Sequence, residues 1–190
     1  MPNWCNNVLR ISHSDPAMME RANKAFAEGK LLNEFVPCPD ELWNEESSSY
    51  GGDNAAEKDA LRESLTTKYG FQNWYDWCIA NWGTKWDVGS DEPPEVHDAL
   101  NSTFCFDSAW APPTGAYVKL EEMGFEIEAY YYEPGVQFAG IYEGGCDDCY
   151  EGWGNAESCR EQLPEVLDEM FAISENQEMW EQDDDTVDEE

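Results

Sequence analysis

The chain has very few basic side chains. Among its 190 residues, 10 are Lys or Arg and 42 are Asp or Glu, so the formal net charge is -32 at pH 7. A surface of this charge repels phosphate backbones and anionic lipid headgroups. Direct binding to nucleic acid and electrostatic attachment to membranes are therefore disfavoured, whereas a basic protein partner is favoured.

Long apolar runs are also missing. No stretch of 18 apolar residues occurs, which argues against a membrane-spanning helix. The first residues, MPNWCNNVLRI, have no basic segment followed by an apolar one, so we expect no secretory signal and a cytoplasmic location. In that reducing compartment the cysteines, seven in number, are expected to be mostly small core residues.

Familiar catalytic motifs are absent as well. The sequence contains no Gly-rich phosphate loop, HExxH motif, GxSxG motif or nucleophile triad. Its two histidines, His13 and His97, are isolated and suit surface or capping positions better than a general base. We therefore predict a protein that is not an enzyme and that has no cofactor.

One CxxC motif, Cys146 to Cys149, raises the question of a metal. Structural zinc sites need four ligands in two close pairs, and the aspartates inside this single pair oppose thiolate formation. Asp147, Asp148 and Glu151 could bind calcium, but they lack the spacing of an EF-hand loop. We predict no metal and interpret the segment as an acidic turn with two partly buried cysteines. A metal-binding regulatory protein remains an alternative.

Acidic side chains are concentrated at the C-terminal end. Residues 1–142 hold 24 acids and 9 bases (net -15), whereas residues 143–190 hold 18 acids and one base, Arg160 (net -17). Residues 181–190 carry seven acids and a single apolar side chain, too little apolar surface to offset the entropy of ordering. We therefore predict a disordered acidic tail at 181–190.

This density of carboxylates suits a partner that normally binds phosphates. Duplex DNA carries one charge per roughly 1.7 Å of axis, so about thirty carboxylates along one face match roughly 50 Å of duplex. We predict a basic, nucleic-acid-binding protein as the partner, although the charge alone is also compatible with a role in solubility. The acids predicted to bind the partner are Asp147, Asp148, Glu151, Asp168, Glu169, Asp183, Asp184 and Asp185.

The hydrophobic pattern switches repeatedly between the strand and helix periods, which predicts an α+β protein. The collapsed order of core elements is βαββαβ, that of a ferredoxin-like domain. We predict one domain over residues 1–180, with a Trp-rich helical insertion at about 40–83 and an acidic C-terminal extension at about 143–180. The predicted strands are 6–11, 84–88, 103–110, 125–132 and 136–142; the predicted helices are 16–28, 55–69, 74–82, 112–123 and 163–174, with an exposed loop at 44–54.

A Trp-rich segment, WYDWCIANWGTKWDV at 74–88, supports a second interpretation. Asp76, Lys85 and Asp87 are polar groups among aromatic side chains, and convergence of these groups would form a pocket for a small ligand or substrate. Lys85 could instead lie along the tryptophan rings or pair with either aspartate. Stacking of nucleic-acid bases on these rings is disfavoured because basic residues to hold a backbone are lacking.

Five segments of the chain carry a resemblance to a known family: MPNWCNNVLRI (1–11), NEFVPCP (33–39), WYDWCIANWGTKWDV (74–88), FDSAWAPP (106–113) and GVQFAG (135–140). Together they resemble an uncharacterised family found on conjugative plasmids and phages, often called YubB-like. The resemblance implies a ferredoxin-like domain and an origin on a mobile element, and it supplies no catalytic residues. A function against a host defence protein then becomes the favoured hypothesis, with a small-ligand protein, an enzyme or a metal-binding regulator as alternatives.

Overall fold

A six-stranded antiparallel sheet forms the centre of the protein. The computed structural model describes residues 3–44 and 55–187. Its strands are β1 (Trp4–Ser12), β2 (Glu95–Val96), β3 (Asn101–Ala109), β4 (Glu126–Glu133), β5 (Phe138–Glu143) and β6 (Cys146–Glu151). They lie in the order β2-β3-β1-β4-β5-β6, so the first strand of the chain is central and pairs with β3 and β4. The expected α+β class is confirmed.

Helices connect and cover these strands. Local signals explain where they begin and end: the Asp15 carboxylate accepts the Ala17 N–H at one start, and Gly83 ends another helix with a φ of 91°. The helices within the described residues are α1 (Pro16–Ala27), α2 (Leu31–Phe35), α3 (Asp40–Trp43), α4 (Ala55–Tyr69), α5 (Trp74–Trp82), α6 (Thr114–Glu122), α7 (Ala156–Gln162), α8 (Glu165–Phe171) and α9 (Ile173–Val187).

Apolar side chains lie on both faces of the sheet. On the first face, Leu9 and Phe104 belong to a large core with residues of α1, α2, α5 and α6. On the second face, Tyr130 and Tyr132 pack with Leu167 and other residues of the C-terminal helices. Because strand side chains alternate between faces, β4 contributes to both cores. The C-terminal helices are therefore a second layer on the sheet.

Asn7 fixes how β1 pairs with β3. Its side chain is 3% exposed, and its amide nitrogen donates to the Cys5 carbonyl at 2.7 Å and to Ser108 Oγ at 2.8 Å. A slip of one residue would move this amide to the other face and separate it from Ser108. The buried amide and the apolar alternation of β1 thus favour the same register.

The predicted strand at 84–88 is wrong. Residues 84–88 form no strand, because the Asp87 carboxylate accepts the N–H groups of Leu32 (2.7 Å) and Asn33 (2.9 Å) and holds the segment at the start of α2. The strand at this position in the chain order is the two-residue β2 instead. Trp110, the last residue of the predicted strand at 103–110, lies beyond β3 with a φ of 69°.

The C-terminal predictions need three corrections. The helix expected at 163–174 is divided into α8 and the start of α9, because Ala172, with a φ of 51°, ends α8. Another helix, α7, precedes this range and is separated from α8 by Leu163 and Pro164. The acidic segment at 146–151 is strand β6 and not a turn. Residues 181–187 continue α9, whose first part is anchored by the buried Ile173, instead of forming a tail. Residues 188–190 of the predicted tail and 45–54 of the predicted loop lie outside the described residues.

Candidate protein-binding surface

The C-terminal helices form an acidic layer with one apolar side. We call α7–α9, residues 156–187, the acidic helical layer. Its inner side chains pack on the second face of the sheet, where Cys159, Leu167 and Ile173 are buried. Its outer side is acidic, and the exposed carboxylates are those of Glu157, Glu161, Glu165, Glu169, Glu175 and Glu178.

Four of these carboxylates recur at regular spacing. Glu157 and Glu161 lie four residues apart on α7, and Glu165 and Glu169 lie four residues apart on α8. Side chains at this spacing are neighbours on a helix, with about 5–6 Å between Cβ atoms, and like charges there destabilise the helix. We call these four residues the carboxylate row.

Basic side chains do little to neutralise the acidic layer. Arg160 is the single base after residue 142, and its guanidinium pairs with Glu178 at 2.8 Å. Because Arg160 pairs with Glu178, residues 143–190 contain no other basic side chain that could pair with the carboxylate row. Folding therefore retains a repulsive arrangement of charge at the surface of this layer, which is the arrangement expected of a surface that binds cations.

Two neighbouring acids that we predicted as partner ligands differ in role. The Asp168 carboxylate accepts the backbone N–H of Ser174 at 2.7 Å and the Ser174 hydroxyl at 2.7 Å, so it joins α8 to the start of α9. Glu169 is exposed. Asp168 is thus a structural residue, whereas Glu169 belongs to the carboxylate row. Asp183, Asp184 and Asp185 lie in α9, beyond the side chains that the structure describes.

Strand β6 places its acids on both faces of the sheet. Asp147 lies on the first face, where its carboxylate accepts the Tyr131 hydroxyl at 2.6 Å, and Asp148 lies on the second. Cys146 and Cys149 are three residues apart in the same strand, so they point to opposite faces and cannot share a metal ion. Within residues 3–44 and 55–187, no three His, Cys, Asp or Glu side chains come together as a ligand set.

Tyr131 depends on a glycine to reach Asp147. Its ring lies against Gly140 on the neighbouring strand, and a Cβ added to Gly140 would overlap the Tyr131 hydroxyl. Burial, followed by the Asp147 carboxylate, raises the pKa of Tyr131 far above its ordinary value. The hydroxyl therefore remains a donor at neutral pH and holds Asp147 at the first face. Glu151, on the same face of β6, is exposed.

The three polar groups of the predicted ligand pocket have separate partners. Asp76 accepts an N–H of the Asn73 side chain at 2.9 Å beside the start of α5. Asp87 caps α2 as described above, and burial raises the pKa of its carboxyl group in spite of the N–H groups that it accepts. Lys85 contacts neither carboxylate in these arrangements, so the predicted convergence is not present.

Lys85 lies among three aromatic rings. Its Nζ is 4.6 Å from the centroid of Trp86, 5.2 Å from that of Trp110 and 5.6 Å from that of Tyr75. The contact between Lys85 and Trp86 could be predicted from the sequence, since the two residues are adjacent. The contact with Trp110 could not be predicted, because Trp110 is distant in sequence and lies beyond β3 in a left-handed backbone conformation.

An exposed aromatic patch surrounds this cation. Trp4, Trp86 and Trp110 are 45%, 39% and 39% exposed, and the rings of Trp4 and Trp86 lie 5.9 Å apart. Clustered exposed tryptophans are typical of interaction surfaces. No pattern in the sequence links Trp4, the first residue of β1, to this group.

Comparison with known proteins does not identify a family. No family model matches the chain, and no curated protein matches it. The chain is similar to the crystal structure of a protein api92 from Yersinia pseudotuberculosis, of the family model DUF1281, at 12% sequence identity and a TM-score of 0.42, covering 80% of this chain and 98% of that one. At that TM-score the likeness supports no statement on fold or function. No helix in the described ranges has the length and apolar character needed to cross a membrane.

Proposed function

We propose that this protein is a non-catalytic binding protein that occupies the phosphate-binding surface of a basic, nucleic-acid-binding host protein. The observation that carries the proposal is the carboxylate row of Glu157, Glu161, Glu165 and Glu169, exposed on α7 and α8 beside a single, already paired base. Each helix presents two carboxylates four residues apart, so anionic oxygens lie close together, as they do along a nucleic-acid backbone. The proposed inhibitor thereby competes with nucleic acid for one surface.

Electrostatics also suit the kinetics that an inhibitor needs. A net charge of -32 steers a basic partner toward the protein and repels nucleic acid itself. Such association is fast and falls steeply with ionic strength. We place this function in the cytoplasm of a host cell that carries a phage or plasmid, in line with the resemblance to the YubB-like family.

We also propose that the sheet contains a ferredoxin-like core. The order β2-β3-β1-β4, with helices after β1 and β3, supports that assignment, because it is the order of a βαββαβ unit with two interleaved crossovers. In this proposal β2 is a shortened edge strand, and β5, β6 and the acidic helical layer are additions on the other side. The binding surface then lies in the added part.

The test compares two variants that lose the same number of charges. The row variant carries Glu157→Gln, Glu161→Gln, Glu165→Gln and Glu169→Gln, and the matched control carries Glu20→Gln, Glu57→Gln, Glu63→Gln and Glu92→Gln at exposed sites elsewhere. Each protein is immobilised, incubated with a nuclease-treated bacterial lysate and eluted with duplex DNA at constant ionic strength.

The expected result is specific to the row. Wild type and control should retain DNA-binding proteins that duplex DNA displaces, and the row variant should retain at least tenfold less of them. Equal losses in both variants would show that net charge alone causes retention. Equal retention by all three proteins, or elution that does not respond to DNA, would refute competition for a phosphate-binding surface.

A further inference from the structure

We propose that β6 is an open edge to which a basic, extended segment of the partner adds as a further strand of the sheet. This inference rests on the proposed function, since it concerns how a basic partner is held. The observation behind it is the state of the backbone along residues 146–151, which is independent of the carboxylate row on α7 and α8. The acids of β6 then specify the chemistry of the added strand.

Alternate residues of β6 have backbone N–H and C=O groups that do not bond to β5 and are available to a further strand. A two-residue turn joins it to β5, so Glu143 and Cys146, which close the turn, form a hydrogen-bonded pair, and alternate pairs follow along the ladder. The N–H and C=O groups of Asp147, Cys149 and Glu151 therefore point away from β5. Over the described ranges, no backbone hydrogen bond outside the sheet ladder involves these three residues.

The two edges of the sheet differ in how they are protected. The opposite edge is β2, which has two residues, and very short strands are a common protection against unwanted pairing. The β6 edge has six residues, of which five are exposed. It is protected by the charge of Asp147, Asp148 and Glu151, which excludes neutral and acidic strands but not basic ones. Strand addition to such an edge is an established mode of peptide recognition.

Side-chain chemistry selects the occupant. Asp147, Cys149 and Glu151 face a cleft of about 250 Å³ that Tyr131 and Phe138 also line. An added strand would direct alternate side chains toward this cleft, where Lys or Arg would meet the two carboxylates and rest their alkyl chains on the half-buried ring of Phe138. A second copy of β6 would instead oppose carboxylates to carboxylates. The occupant is therefore a basic segment with a positive residue at every second position.

The test uses a defined peptide and the full chain. The probe is a blocked seven-residue peptide of alternating Lys and Val, and its matched control has the same sequence with every backbone nitrogen methylated, which keeps the four charges but leaves no N–H to donate to β6. We expect the probe to bind at least tenfold more tightly than the control. It should also slow amide exchange, measured by NMR, at least tenfold at Asp147, Cys149 and Glu151.

A variant separates strand addition from charge attraction. Cys149→Pro removes one outward N–H and leaves both the acids and the hydrogen bonds to β5 in place, whereas Cys149→Ala retains the N–H. We expect the proline variant to bind the probe at least tenfold more weakly and the alanine variant to bind within twofold of wild type. If Cys149→Pro does not fold, the amide-exchange measurement on the wild-type protein still tests whether the peptide adds as a strand to β6.

Three outcomes would overturn the inference: equal binding of both peptides, binding without slower exchange at the three amides, or a dimer by sedimentation that closes the edge. The lysate and peptide experiments together distinguish failure of strand addition from failure of the proposed function. If the row variant loses the DNA-displaced proteins but the peptide leaves the three amides unprotected, the proposed function stands and strand addition fails. If the lysate experiment fails but the peptide protects those amides, the edge binds basic strands without a role in competition with nucleic acid.

Discussion

Replacing Gly140 by alanine should displace Tyr131 and destabilise the acidic sheet edge. The new Cβ would overlap the Tyr131 hydroxyl, and the Asp148 carbonyl oxygen, 2.7 Å from the Cβ, blocks any shift to the other side. Tyr131 is 1% exposed, so its ring has no free space to enter within the core. It must move outward and give up its 2.6 Å hydrogen bond to Asp147.

The size of this effect follows from three contributions. Overpacking costs about 1–3 kcal/mol, and the lost hydrogen bond to a carboxylate costs about 1.5–3 kcal/mol. Replacing a strand glycine by alanine stabilises the folded state by about 0.5–1 kcal/mol, because the unfolded chain loses conformational freedom. We therefore expect Gly140→Ala to lower the free energy of unfolding by about 2–5 kcal/mol.

Denaturant unfolding followed by circular dichroism measures this change. Tyr131→Phe is the matched variant, because it removes the hydroxyl and keeps the ring. In the double variant the overlap with the hydroxyl is gone while that with the ring carbon Cζ remains, and the hydrogen bond that each single variant loses is counted only once. The combined loss should therefore be at least about 1 kcal/mol smaller than the sum of the single losses. A Gly140→Ala protein within about 0.5 kcal/mol of wild type would refute the described packing of Tyr131 on Gly140.

Three further predictions concern the rest of the fold. Asp87→Ala leaves two N–H groups of α2 without an acceptor and should cost about 2–4 kcal/mol of unfolding free energy in the same assay, whereas a loss below about 0.5 kcal/mol would contradict the capping role. Lys85→Met keeps the alkyl chain but loses the cation over the rings, so the melting temperature should fall by an amount matching about 0.5–2 kcal/mol. Burial raises the pKa of Cys38 and of Cys159 to about 11. Because the unfolded chain loses these protons first, near pH 8.5, the stability they contribute is complete below that pH and should decline as the pH rises toward 11. Replacing both thiols by alanine should flatten that decline in denaturant titrations, and an unchanged slope would contradict it.

Local signals predicted much of the fold. The first strand, the helices at 55–69 and 74–82 and the β4–β5 pair follow from side-chain periodicity and from turn residues such as Gly83. The segment at 84–88 has strand-like residues, but its conformation is decided by Asp87 bonding to N–H groups 54 and 55 residues earlier in the chain. Periodicity contains no information on a hydrogen bond of that kind.

The candidate site was predicted by composition and corrected by geometry. The sequence locates the acids but does not separate Asp168, which caps a helix, from Glu169, which is exposed. Strand β6 was missed because polar residues on both faces leave no hydrophobic alternation. A usable signal was present in Gly144 and Gly145, since two consecutive glycines after a strand are typical of a tight hairpin.

The central place of β1 has a consequence for synthesis. Residue 12 ends this strand, but its two neighbours begin only at residues 101 and 126, so a growing chain must wait for them. At about 5–20 residues per second, the roughly 90 residues before β3 take about 4–18 s to make. Over that interval the apolar side chains of β1 have no strand to pair with, and folding is dominated by contacts distant in sequence, which are slow to form. The sheet can therefore close only after β3 and β4 emerge, which makes the early chain a natural client for chaperones.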